Sequence, residues 1–146
     1  MEIKILAPLW GHESQDITTF CHSIKEAGYD GIDTWIPDDP AVHKKLFDAL
    51  QQEELLLVSH QHQARGADFE AFKTSFREYL QFSAQGGPIL MNCHTGRDYF
   101  SFAQNLELID IAAEFSARSG LMVAHETHRG RVGFHPAEMQ GYFDAR

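Results

Sequence analysis

The stretch Glu26-Ala27-Gly28-Tyr29-Asp30-Gly31-Ile32-Asp33-Thr34-Trp35-Ile36-Pro37-Asp38-Asp39-Pro40 holds the end of one element, the whole of a second and the start of a third. Upstream, Ile17, Phe20, Cys21, Ile24 and Ala27 recur at helical spacing, so Gly28 falls where a helix closes on a left-handed residue. Gly31 to Ile36 reads as a strand. Asp39-Pro40 is a side-chain cap with proline at the first helical position, and Val42, Leu46 and Leu50 share a face of the helix that opens there. A short turn enters the strand and a loop carrying an indole and acids leaves it, which is the grammar of a βα unit.

The same unit recurs on both sides. Ile3 to about Leu9 predicts the first strand and Leu55 to His60 the third. A helix over about Asp68 to Gln85 buries Phe69, Phe72, Phe76 and Leu80 and ends at Gly86-Gly87, ahead of a fourth strand from Ile89 to Cys93. Ser101 with Gln104 fits a capping box, and Phe102, Leu106, Ile109 and Ala113 form the expected inward face of a helix that Ser119-Gly120 stops. Leu121 to Glu126 predicts strand five, and Pro136 opens a short helix toward Arg146. The expectation is α/β: about five parallel strands and four to five helices in a single domain over 1–146.

Connections from helix to strand are short and bland, whereas those from strand to helix collect the chemistry. They run over Trp10-Gly11-His12-Glu13, Trp35 to Asp39, His60 to Gly66, His94 to Phe100, and Glu126 to His135. In parallel α/β folds the site lies at the strand C-termini, so one rim would gather these groups. No GxGxxG or GxxxxGK[ST] phosphate loop follows any strand, which disfavours a nucleotide-binding doubly wound sheet. A closed eight-unit barrel takes roughly 250 residues, so the 146 here predict a partial (β/α) TIM barrel whose edge strands invite self-association or a complementary barrel half.

Composition narrows the classes. Twelve Lys and Arg against 21 Asp and Glu give a net charge of −9, which argues against a nucleic-acid partner. No apolar run approaches the roughly 20 residues of a membrane span, so no membrane role is expected. Met1-Glu2-Ile3-Lys4-Ile5-Leu6-Ala7 lacks the features of a secretory signal, and the two cysteines, Cys21 and Cys93, make no disulfide framework. The expected compartment is cytoplasmic. Nine histidines are the unusual feature of the composition and point to a metal or proton-transfer site.

Glu126 heads the candidates. It ends a small-residue strand in Val123-Ala124-His125-Glu126-Thr127-His128-Arg129-Gly130-Arg131, where a carboxylate can ligate a divalent metal or act as a general base. Alternation along a strand sets Glu126 and His128 on one face and His125 on the other. The bland alternative is a loop carboxylate paired with Arg129, which would be worth little. His60 and His62 share parity and can clamp a metal or substrate, and His94 at the tip of strand four is a ligand or a donor to substrate oxygen. Trp10 and Trp35 can wall an apolar side of a pocket, and Arg97, Arg129 and Arg131 can hold an anionic group. Asp33, of one parity with Trp35, reads first as an internal structural acceptor. Cys21 and Cys93 read as core; His12, His22, His43 and His135 have no evident partner and default to solvent.

Gly28-Tyr29-Asp30-Gly31-Ile32-Asp33, Asn92-Cys93-His94-Thr95-Gly96 and His125-Glu126-Thr127-His128-Arg129, in that order between strands, resemble the N-terminal part of xylose-isomerase-like TIM barrels, the sugar phosphate isomerase/epimerase superfamily. The resemblance covers essentially the whole chain but only about five of the family's eight strands. It implies Glu126 as catalytic residue and metal ligand, a divalent ion (Mn, Mg or Zn), and a sugar or sugar phosphate substrate that undergoes proton transfer next to a carbonyl. The family's other ligands, an Asp, a His and a second Glu, come from strands six to eight. Zinc endonucleases for abasic DNA in the same superfamily imply an alternative, with His60 or His62, His94 and Glu126 as zinc ligands. A non-catalytic barrel fragment is the third expectation.

Overall fold

A computed structural model describes residues 2–146 as β1(Leu6–Pro8), α1(Ile17–Glu26), β2(Gly31–Thr34), α2(Pro40–Gln52), β3(Leu56–Gln61), α3(Phe69–Ser83), β4(Leu90–Cys93), α4(Phe102–Ser119), β5(Val123–His125) and α5(Pro136–Asp144). The strands form one parallel sheet in chain order, β1-β2-β3-β4-β5. Sequential order, with the right-handed crossovers that parallel connections take, sends α1 to α4 to the same side of the sheet, as in a barrel, instead of to both faces of a doubly wound sheet. No helix among the described residues is long and apolar enough to cross a membrane.

Strand parity divides the work. Ala7, Ile32 and Leu57 turn toward the helices and pack with Phe20, Cys21 and Ile24 of α1 and Leu46, Ala49 and Leu50 of α2. Met91 and Cys93 turn the same way and meet Phe72, Phe76 and Leu80 of α3 and Leu108, Ile111, Ala112 and Phe115 of α4. The opposite parity, with Asp33, His60, Asn92 and Glu126, points to the interior side of the barrel. The helix-side face thus buries mainly apolar residues, with Thr34, Ser59 and Gln61 enclosed among them, and the Asp33 and Glu126 carboxylates and the His60 ring lie on the other face.

Helix starts follow their caps. Asp16, Asp39 and Asp68 accept from backbone amides at the first turns of α1, α2 and α3. Ser101 and Gln104 make the reciprocal capping box of α4, which ends on Gly120 at φ 73°. Between helix and strand the chain is tight. A Cβ on Gly31 would lie 2.2 Å from the Leu56 carbonyl oxygen across the β2–β3 pair, and backbone cannot move aside as a side chain can. Gly31→Ala is expected to cost about 1–3 kcal/mol in chemical denaturation, in the range of overpacked cores. A change near zero would mean that β2 and β3 can separate freely.

Several expectations are corrected. The first strand is paired only over Leu6–Pro8, not from Ile3, because β1 is an edge strand with one neighbour and that neighbour begins at Gly31; Ile3 and Ile5 are 69% and 59% exposed. Strand two ends at Thr34 ahead of Pro37, strand three shifts one residue to end at Gln61, and strand five shortens to Val123–His125, with the Glu126 amide still donating to the Cys93 carbonyl. The buried face of α4 is Asn105, Leu108, Ile111, Ala112 and Phe115, not Leu106, Ile109 and Ala113. That helix carries apolar residues on several sides, so periodicity alone does not fix its phase. Phe102 is 45% exposed and lies flat on Tyr142 of α5, with ring centroids 4.5 Å apart. Val42, on the first turn of α2, is exposed, and His43 is half-buried against Phe47 and Phe82.

Candidate metal centre

The sheet register builds the site. His60 of β3 lies opposite Asn92 of β4, and Asn92 lies opposite Ala124 of β5, two residues before Glu126. Same-face side chains at the tips of three adjacent strands therefore converge. One ligand atom each from His60, His94 and Glu126 falls within 4.8 Å of the others.

The Glu126 carboxylate is the hub. Its Oε2 accepts from Asn92 Nδ2 at 2.7 Å and lies 2.9 Å from His94 Nε2 and 3.9 Å from His60 Nδ1. Among the described residues it makes no ion pair with Arg129, so the bland pairing is not what holds it. All three contacts gather on Oε2, and among the described residues no hydrogen bond or ion pair involves Oε1. Asp33 Oδ1 approaches His60 Nε2 to 2.7 Å from the neighbouring strand.

The cluster is short of hydrogen-bond partners. His60 Nδ1, His62 Nδ1 and His94 Nδ1 are buried polar atoms that no protein group satisfies, and Asp33 Oδ1 has only the close but misaligned His60 Nε2 beside it. Buried polar groups are nearly always paired, so such a concentration marks atoms that meet something other than the chain itself. Two imidazoles and a carboxylate suit Zn²⁺, and also Mn²⁺. Burial outweighs the nearby Glu126 charge and holds the His94 pKa below its usual value, which keeps a lone pair available at neutral pH. On these counts the residues fit a divalent cation.

An aromatic wall stands beside the cluster. Trp10 and Trp35 have ring centroids 4.5 Å apart, and His62 meets them edge-on at 5.3 and 5.7 Å. His128 is exposed but stacks on His94 at 4.8 Å, and its Nδ1 donates to the Arg129 carbonyl. Trp10, Trp35, His60, His62, His94, His128 and Glu126 are thus brought to one rim. The two arginines stand apart. Arg129 is exposed and lines a cavity of about 600 Å³ with His125, Phe134 and Phe143, and Arg131 is half-buried in the following turn. Arg97 is committed to structure: its guanidinium donates to the Gly96 and Ala64 carbonyls and covers the Phe72 ring.

Asn92 is the residue to which sequence reasoning gave no role. Its signal is a carboxamide inside an apolar strand at the parity of His94. Asn105 gave none, yet from the buried face of α4 it accepts from the Arg97 amide and donates to the Arg97 carbonyl, clamping the loop after β4. Behind the sheet, Thr95 Oγ1 lies 2.7 Å from His125 Nδ1 and donates to Cys93 Sγ, and the Cys93 thiol donates to Gln61 Oε1. Burial pushes the Cys93 thiol up to about 12, so it is inert.

Burial, reinforced by the His94 and His60 rings, brings the His62 pKa down to about 4. The unfolded chain takes this proton near pH 6.5 and the folded chain only near pH 4, so stability is lost as pH falls through that window. The midpoint of thermal unfolding is expected to fall between about pH 7 and about pH 4.5, and to fall less in His62→Phe, which keeps a ring against both indoles. Equal slopes in the two proteins would remove His62 as a cause.

No family model matches the chain, and no curated protein matches it. Among solved structures it is similar to the probable 3-DHS dehydratase AsbF of Bacillus anthracis, involved in petrobactin synthesis. The identity is 15% and the TM-score 0.68, over 97% of this chain and 58% of that one. It is also similar to the carboxyl transferase domain of Rhizobium etli pyruvate carboxylase, at 15% identity and a TM-score of 0.51, over 88% of this chain and 22% of that one. Likeness at such identities concerns the fold. Topology and neighbours together define a partial parallel (β/α) barrel of the TIM type, not closed over the residues described. The chain spans 58% of the length of AsbF.

Proposed function

We propose that this protein belongs with the sugar isomerase/epimerase barrels and carries out divalent-metal-assisted proton transfer next to a carbonyl of a small sugar or sugar phosphate. The observation that carries the reading is the convergence of His60, His94 and Glu126 on one point at the strand tips. These three residues would hold the cation. The ion would polarise the substrate carbonyl and acidify the neighbouring C–H.

The chain's own groups do the rest. Glu126 engages its polar neighbours through Oε2, and its Oε1 takes the proton from carbon and returns it. Asn92 steadies the carboxylate. Trp10, Trp35 and the neutral His62 ring face the apolar side of a ring or chain and exclude water, while His128, its Nδ1 proton held by the Arg129 carbonyl, accepts from a hydroxyl through Nε2 on the exposed side. Arg129 and Arg131, which stand apart from the rim in the turn that follows it, would serve a distal anionic group only at the far end of an extended substrate such as a sugar phosphate. The reading takes the barrel to be completed by further strands.

One observation favours a second reading. Two histidines and a glutamate from strands three, four and five are the ligand set expected of a zinc-dependent abasic-site endonuclease. The net charge of −9 opposes a phosphate backbone. Metal analysis after purification, then turnover of a panel of ketoses with Mn²⁺ beside cleavage of abasic duplex, separates the two. Ketose turnover supports the first, strand cleavage with tightly held zinc the second, and neither activity with no metal retained leaves a non-catalytic fragment.

A further inference from the structure

We infer that Asp33 is a positioning residue that holds the His60 ring with its proton on Nε2 and its Nδ1 lone pair turned into the cleft. The functional meaning of this pairing rests on the metal-assisted reading; the pairing itself does not.

The His60 side chain is 7% exposed, so both ring nitrogens must be accounted for inside the protein. Nε2 has two neighbours with opposite requirements. Asp33 Oδ1 at 2.7 Å needs a proton between the atoms, whereas Asn92 Nδ2 at 3.3 Å needs a lone pair on the ring. The shorter contact involves a carboxylate, and charge-assisted hydrogen bonds are roughly twice as strong as neutral ones. Asn92 already donates to Glu126 Oε2 at 2.7 Å and loses little at the longer contact. Were Nε2 unprotonated, a buried carboxylate oxygen would face a second acceptor at 2.7 Å with no other partner, an arrangement that only repels. Oδ1 sits off the ring N–H axis, so a small ring rotation is what turns the close approach into an aligned bond.

The consequence falls on the other nitrogen. With Nε2 protonated, Nδ1 carries the lone pair; it is buried, has no partner, and lies 3.9 Å from Glu126 Oε2. These two atoms are the ones that would hold a divalent cation, the ring through its nitrogen and the carboxylate through its oxygen. A carboxylate on the far nitrogen of a ligating histidine fixes its tautomer and orientation and raises its basicity. The sheet arranges this without a loop: Asp33 pairs with Val58, two residues before His60 on the same face of the adjacent strand.

The test reads the tautomer first. Long-range ¹H–¹⁵N correlations of the metal-free protein are expected to show His60 protonated at Nε2 in the wild type. Asp33→Leu should move the proton to Nδ1, and Asp33→Asn, whose amide oxygen still accepts, should keep it at Nε2. Unchanged His125 signals would show that each variant is folded. Zn²⁺ affinity by calorimetry is expected to fall roughly 10–100-fold in Asp33→Leu and to recover in Asp33→Asn. A His60 tautomer that is the same in Asp33→Leu as in the wild type overturns the inference, and so does a wild-type ring protonated at Nδ1. Wild-type protein that shows the predicted tautomers but takes up no zinc instead defeats the metal-assisted reading.

Discussion

Glu126→Gln is expected to strip the protein of bound divalent metal and to lower turnover of any ketose substrate by about 10²–10⁴-fold, the range general acid–base groups contribute. The amide keeps the size and much of the hydrogen-bonding shape of the carboxylate, so Asn92 and His94 retain a partner when its single oxygen takes the place of Oε2. What disappears is the negative charge that would draw a cation between two imidazoles and the basic oxygen that would receive a proton. Metal content after dialysis and initial rates with Mn²⁺, side by side in both proteins, read the two losses separately. Activity that survives the substitution would end the role given to Glu126, and metal retained without activity would confine it to the proton.

Phe76→Ala is expected to be the most destabilising single truncation, by about 3–5 kcal/mol, with a fall in the unfolding midpoint of the order of 10 °C. Phe76 is wholly buried, at 0% exposure, among Phe72, Leu80, Met91 and Leu108, where α3 and α4 meet β4. A hole there cannot be refilled without moving two helices. Because Met91 and Cys93 point to that core while Asn92 and His94 point toward the cleft, the variant should bind metal with near-native affinity at low temperature while it remains folded. Denaturant melts measure the stability and calorimetry the affinity. A loss below about 1 kcal/mol would mean that the helix layer relaxes far more than close packing permits.

Much of this architecture is legible in one dimension because its causes are local. Asp39-Pro40 and the Ser101/Gln104 pair start helices through contacts made within one turn, and Gly120 ends one through its own backbone freedom. Strand parity put Glu126, His94 and His60 on a common face, since alternation is a property of the extended chain itself. The phase of α4 was not legible, because apolar residues on several of its sides leave the choice to the sheet beneath it. The same holds for Phe102 and for the Ile3–Ile5 segment, whose burial depends on neighbours that no periodicity names.

The sequence by itself determined the alternation of strand and helix, the single parallel direction and the rim that collects the polar loops, Glu126 among them. Only the tertiary structure decided which polar groups touch. Register between strands set His60 opposite Asn92 and brought Asp33 to His60, separated Arg129 from Glu126, and spent Arg97 on loop carbonyls. The reason is one of range. Caps, turns and alternation act over a few residues, whereas a contact between side chains 27 or 66 positions apart is fixed by the packing of the whole sheet.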